Sequence, residues 1–247
     1  TNSNTCIGHD AMFLGTGSAN VVIGNKAGSS TDGASAAMNG NNNVLVGDQA
    51  GYTLTDGPGN VLIGKSAGAA MTTGDYNIAI GYQAADALAG DANDNIAIGK
   101  NALGAEDLAQ FNIAIGSDAL LVQNSTAAVN LAIGYTAGKA ISTGTHNVLI
   151  GHEAGSALAS TSNSTAVGYN SLKLATGGSN TAVGSNAAAN VLAGTSNTVV
   201  GDLALYTADG SEVGNTVIGA AALHNLDDDS GDNNVAIGNH AGRWDAS

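Results

Sequence analysis

Three tyrosines, Tyr82, Tyr135 and Tyr169, each stand directly after a glycine, and rings set out in this way could stack on the faces of sugars. Carboxylates are the other candidates for chemistry. Glycoside hydrolysis needs two carboxyls about 5 to 10 Å apart, one of them with its pKa raised by an apolar pocket. Nearly all the acids stand instead in turn-forming stretches (Asp32, Asp56, Asp75, Asp91, Asp94, Asp209) or just after a glycine (Asp10, Asp48, Asp118, Glu153, Asp202). Solvation is their expected state there, so no catalytic residue is assigned and the chain is expected not to be an enzyme. The stretch DDDSGDNN places Asp227, Asp229 and Asn233 around Gly231 in the composition of a calcium loop. It lacks the glutamate that completes the twelve-residue loop, so a solvated acidic turn is the expectation and no cofactor is assigned. His9, His146, His152, His224 and His240 show no paired ligand spacing, and one cysteine, Cys6, excludes an internal disulfide and a cysteine-based zinc site.

The elements that would carry these residues follow from composition and repetition. Of the 247 residues 43% are hydrophobic but only 4% aromatic, with 36 glycines and one proline, so the core must be thin. A formal charge of −14 with six Lys and Arg leaves no basic stripe for counterion release, which argues against nucleic acid as a partner. Apolar runs of only a few residues predict no membrane insertion by this segment.

Aligned on the glycine of IG or VG, the chain shows fourteen copies from Gly8 to Gly238 at intervals near 17 residues. A period this short predicts a solenoid, in which each unit buries its apolar face only against its neighbours. Asn stands four residues before the glycine in thirteen copies, with Ser164 the exception; Ile or Val stands one before it, and Ala stands three after it in thirteen copies, with Ser171 the exception. The central copies spell this out as Asn77, Ile80, Gly81 and Ala84, then Asn95, Ile98, Gly99 and Ala102, then Asn112, Ile115, Gly116 and Ala119. Three β-branched or small residues between Asn and Gly predict a short strand in each copy. The fold expected is therefore all-β: a parallel β-solenoid of about 14 coils filling 1–247 as one repeat domain. A long loop is expected at about 28–42 and a cap or junction at 239–247. An apolar residue seven after the glycine (Leu54, Met71, Leu88, Ile141, Leu158, Leu226) suggests a second, shorter strand closing each coil, and the stacked asparagines suggest a ladder.

Alternation along the strand sets residues one and three before the glycine on one face and the residue between them on the other, and both faces are apolar. One face lines the lumen, so the other needs cover. The small middle column, including Ala79, Ala97, Ala114 and Ala132, suits a close approach between subunits and is expected to form the seam of a symmetric assembly. The opposite assignment, with the middle column in the lumen and the Ile/Val column at the seam, also demands partners. Thr165, Thr181, Thr198 and Thr216 share the Ile/Val face and are expected to point inward or into a seam, which weakens the reading of a threonine array for ice.

The unit NxAIGxxA, most plainly NTAVGSNAA, NTVIGAAAL and NIAIGSDAL, resembles the head repeats of trimeric autotransporter adhesins (YadA-like heads) and the NTAIGxxAL arrays of phage tail fibres and related bacterial surface proteins. The likeness covers essentially the whole chain, although the period near 17 exceeds that of typical adhesin heads. It implies a left-handed β-roll in a homotrimer, extracellular, on a virion tail fibre or a bacterial cell surface. There it would attach to a surface glycan or another receptor. The alternatives are a glycan-binding or glycan-degrading tailspike-type module and an ice-binding solenoid. Because a solenoid leaves unpaired strands at both ends, the native protein is expected to continue beyond at least one of them.

Overall fold

The computed structural model describes residues 2–29, 37–104, 110–124, 129–208, 211–226 and 231–242. The chain is an all-β parallel solenoid with no helix among these residues, and its coils recur about every 17 residues. It forms two compact units, Thr1–Val129 and Asn130–Ser247. In the first unit, β1 (Thr5–Ile7), β2 (Val21–Ile23), β3 (Val44–Val46), β4 (Val61–Ile63), β5 (Ile78–Ile80), β6 (Ile96–Ile98) and β7 (Ile113–Ile115) pair in chain order. The pairing is parallel and residue for residue: Ile78 faces Ile96, and Ile96 faces Ile113. In the second unit the corresponding wall comprises β8 (Leu131–Ile133), β9 (Val148–Ile150), β10 (Thr165–Val167), β11 (Thr181–Val183), β12 (Thr198–Val200), β14 (Thr216–Ile218) and β16 (Val235–Ile237). Two further strands, β13 (Thr207–Ala208) and β15 (Asn225–Leu226), pair with each other.

Alternation fixes which side chains enter the lumen, and the result corrects the expected seam. Ala79, Ala97, Ala114 and Ala132 have no exposed surface in the single chain. Leu45, Leu62, Leu149, Ala166, Ala182, Val199 and Val217, in the same column, are equally enclosed. These residues line the lumen and are not available to a neighbouring subunit. The physical reason is volume. A coil of about 17 residues encloses little space, and the column on the inside must complement what stands opposite it. Where the strand centre is Leu, the residue four after the repeat glycine is Gly: Leu45 with Gly51, Leu62 with Gly68, Leu149 with Gly155. Where the centre is Ala, that place is often Leu, as in Ala97 with Leu103, Ala114 with Leu120, and Ala166 with Leu172. A methyl group at Gly68 would lie 2.8 Å from Leu62 Cδ1, and one at Gly155 2.7 Å from Leu149 Cδ2, so the two positions share one layer.

The rest of the lumen is built by turns. Ala84, Ala102 and Ala119 are fully buried, as are Leu54, Met71, Leu88, Ile141 and Leu158. Among the described residues the second strand expected around the latter group is seen at β13 and β15, with isolated bridge pairing at Leu88 and between Thr195 and Val213. Elsewhere the chain corners sharply through left-handed residues such as Gln83, Asn101 and Asp118, with φ of 52°, 52° and 57°. Each costs about 1 kcal/mol of local strain. Bonds between coils offset it: Asn101 N–H donates to Tyr82 O (3.0 Å) and Asp118 N–H to Lys100 O (2.9 Å). The repeat glycine is demanded twice over. Gly81 has φ of 142°, and a side chain there would meet Gly99 O at 2.5 Å.

The asparagine ladder is present and buried. Asn77 Oδ1 accepts from Asn95 N–H (3.0 Å), and Asn95 Oδ1 accepts from Asn112 N–H (3.0 Å). Each side-chain amide also donates to a turn carbonyl of the following coil, as Asn60 does to Gly74 O (2.8 Å) and Asn77 to Ala92 O (2.8 Å). One side chain thereby satisfies two backbone groups that would otherwise be buried unpaired, at about 1–3 kcal/mol each. The loop expected at 28–42 is shorter where it is described: Ser29 and Met38 are buried in the coil, and Gly40 stacks on Gly57. Residues 30–36, the terminal stretch 243–247 with Trp244, and the calcium candidates Asp227 and Asp229 lie outside the described residues.

Candidate functional site

With the middle column inside, the columns that meet the surroundings are those one and three residues before the glycine. In the first unit they are Val or Ile throughout β2 to β7, half-buried by contact with their own stacked neighbours. Tyr76 and Phe111 stand one residue before the ladder asparagine in their coils, exposed and left-handed, and extend this apolar face at its margin, with Asp94 in the coil between them. The Tyr76 ring lies over Gly59, where a methyl group would be 2.6 Å from Tyr76 Cδ1. Ile80, Ile98 and Ile115, expected in the lumen, belong to this outer face.

In the second unit the outer face changes character. Thr165, Thr181, Thr198 and Thr216 pair in register and point away from the lumen, which removes the inward alternative, because Ala166, Ala182, Val199 and Val217 between the two outer columns point in. The partners two residues on, Val183, Val200 and Ile218, are 37–39% exposed. The margin is polar here, with His146, Asn163, Ser179 and Ser196 in the places that Tyr76 and Phe111 fill in the first unit. Sequence reasoning missed this outward rank of threonines. The signal was present in the exchange of Leu and Gly for Ala and Leu across the lumen, which identifies the inner column.

The tyrosines are exposed, but two of them are engaged with each other's neighbour. Tyr135 and Tyr169 flank His152 with ring centroids 5.1 and 5.3 Å apart, so one face of each ring is covered. Tyr82 stands between Lys65 and Lys100 in the same column. Asn233 of the calcium candidates uses its N–H to bond Val213 O (2.9 Å). Among the described residues no group of three or more His, Cys, Asp or Glu is placed to hold a metal ion. No helix among the described residues is long and apolar enough to cross a membrane.

Charges sit on the turns. Asn25 donates to Asp48 Oδ1 (2.8 Å) with Lys65 beside it (3.5 Å), and this hydrogen bond, reinforced by the lysine, holds the Asp48 carboxyl below its ordinary range. Lys173 bonds Glu153 (2.5 Å) and does the same for that carboxyl. Burial raises Asp86, and burial together with the negative charges of Asp91 and Asp94 raises Asp75. Comparison with protein-family profiles, with curated proteins and with solved structures finds no match.

Proposed function

We propose that the chain is a non-catalytic structural segment of an extracellular trimeric fibre, a phage tail fibre or the head of a bacterial surface adhesin, serving attachment to a host cell or surface. The observation that carries this reading is the outer Ile/Val face of the first unit with its margin of Tyr76 and Phe111. Stacked coil upon coil, these columns form a continuous apolar strip of the kind that marks an interaction surface. Further copies of the same chain are the economical cover, because every copy brings the same strip. Three-fold symmetry and left-handed winding come from the resemblance to adhesin and tail-fibre repeats. In this arrangement the Ile/Val columns, and not the lumen alanines, meet at the axis. A surface glycan is the receptor class that the resemblance favours.

The test is the mass of the intact protein in solution by light scattering. A stable trimer is expected for the parent. The double variant Ile96→Asp/Ile98→Asp is expected to be monomeric with an unchanged β-sheet spectrum, since both side chains lie outside the lumen. A monomeric parent overturns the reading, and breakdown of a polysaccharide by the parent overturns its non-catalytic part.

A further inference from the structure

We propose that the threonine face of the second unit is an ice-binding surface. Thr165, Thr181, Thr198 and Thr216 stand one per coil across β10, β11, β12 and β14, paired without offset. Adjacent rungs are roughly 4.8 Å apart, and the Val or Ile column two residues on lies roughly 6.7 Å away along each strand. Their hydroxyls make no hydrogen bond to the protein among the described residues. Other threonines of the coils do: Thr53 and Thr55 donate to Ala69 O and Thr72 O (both 2.9 Å), and Thr176 and Thr207 to Leu192 O and His224 O (2.9 and 3.0 Å). Those four hydroxyls serve bonds within the coil, whereas the four of the rank are turned away from the lumen.

Neither outer column carries a charged residue in any of these coils. That matters for the occupant. A charge organises water radially and strongly, which conflicts with a lattice, whereas methyl groups force neighbouring water to bond laterally into cages. Here each rung offers a hydroxyl that can replace a lattice water, a methyl beside it, and a second apolar group from Val183, Val200 or their equivalents. The two repeats are near those of oxygen rows in ice, so water ordered over one rung is in phase with the next. A second copy of the chain fits poorly, because it would have to supply a partner for each of four hydroxyls or leave them buried unpaired. The inference stands on the threonine rank alone and not on the trimer.

The experiment measures thermal hysteresis and ice-crystal shape with the full chain. A gap between melting and freezing, with faceted crystals, is expected for the parent. Thr198→Lys puts a hydrated charge in the rank and is expected to abolish both. Thr181→Ser, which keeps the hydroxyl and removes the methyl, is expected to lose most of the gap and guards against misreading a folding defect. Lys100→Glu, on an exposed turn of the first unit away from both outer columns, is expected to leave it intact. A parent without hysteresis, or hysteresis that survives both threonine substitutions, overturns the proposal, whether or not the chain assembles.

Discussion

Strands β4 to β7 and strands β10 to β14 are built on the same plan and differ on one side only. Both turn a column of Ala, Leu or Val into the lumen, and both close on an asparagine and a glycine. On the outside, the first set shows Ile and Val beside Tyr76 and Phe111, and the second shows Thr with Val or, in β14, Ile218, beside Asn163, Ser179 and Ser196. The coil therefore folds from its inner column and its corners, while the outer columns vary without cost to the fold. A difference confined to the outer columns is where the two regions can meet different surroundings, an apolar partner in one case and ordered water in the other.

The largest expected effect tests that shared interior. Ala114→Asp and Ala182→Asp each put a carboxylate in the lumen with no partner, and each should lower stability by on the order of 4 kcal/mol or more in chemical denaturation. Similar losses in the two regions would show that their interiors are equivalent. A variant of either that kept the parent's stability but lost only its assembly would place the middle column outside and dissolve the comparison.

A smaller effect concerns the one break in the ladder, which falls at the entry to the threonine-faced coils. Ser164 N–H donates to Asn147 Oδ1 (2.9 Å), but its own hydroxyl is buried without a partner, as is that of Thr161. Ser164→Asn would bring a carbonyl to Asn180 N–H and an amide to Gly177 O, as the asparagines of the other coils do. It should raise stability by about 1–2 kcal/mol, measured as a shift in the denaturation midpoint. No gain would mean that the threonine-faced coils are held by other bonds than the Ile/Val-faced ones.

The smallest effects have opposite signs in the two units. Asp75 in the first is held above its ordinary range by burial and by Asp91 and Asp94, so its ionisation favours the unfolded chain and stability falls as pH rises past that range. Asp75→Asn is expected to stabilise at neutral pH and to bring nothing in acid, where the parent carboxyl is protonated. Glu153 in the second is held below its range by Lys173, so its contribution is present at neutral pH and lost as pH falls. Glu153→Gln should weaken the protein at neutral pH and be silent in acid. Thermal melts across the pH range distinguish the two.

Much of this was legible in the sequence. The fourteen copies of Asn to Gly located every strand of the main wall, because a β-branched triplet between a ladder residue and a corner glycine has little choice of conformation. The faces were harder. Alanine at a strand centre suits a close subunit seam and a narrow lumen equally well, and residue type alone does not separate them. The pairing of Leu62 with Gly68 and of Ala97 with Leu103 does separate them, since volume is exchanged only between residues that share a space. The second strand was over-read for a related reason. Leu54 and Ile141 are buried as an apolar periodicity implies, but burial there is achieved by turns with left-handed corners, which leave no pattern in a sequence read for strands.

The exchange of Leu and Gly for Ala and Leu also governs how such a chain finds its own order. Neighbouring copies such as NIAIGKNAL and NIAIGSDAL are nearly interchangeable, so a coil that docked one period too early would satisfy the same ladder and the same corners. Only the lumen tells some coils apart: the bulk comes from the strand centre where Leu62 faces Gly68 and from the turn where Leu103 accompanies Ala97, so the layers they offer a neighbour differ in shape. The placing of bulk inside the coil thus works as a key cut coarsely along the length of the chain, distinguishing stretches of Leu-centred coils from Ala-centred ones while like neighbours such as NIAIGKNAL and NIAIGSDAL stay alike inside.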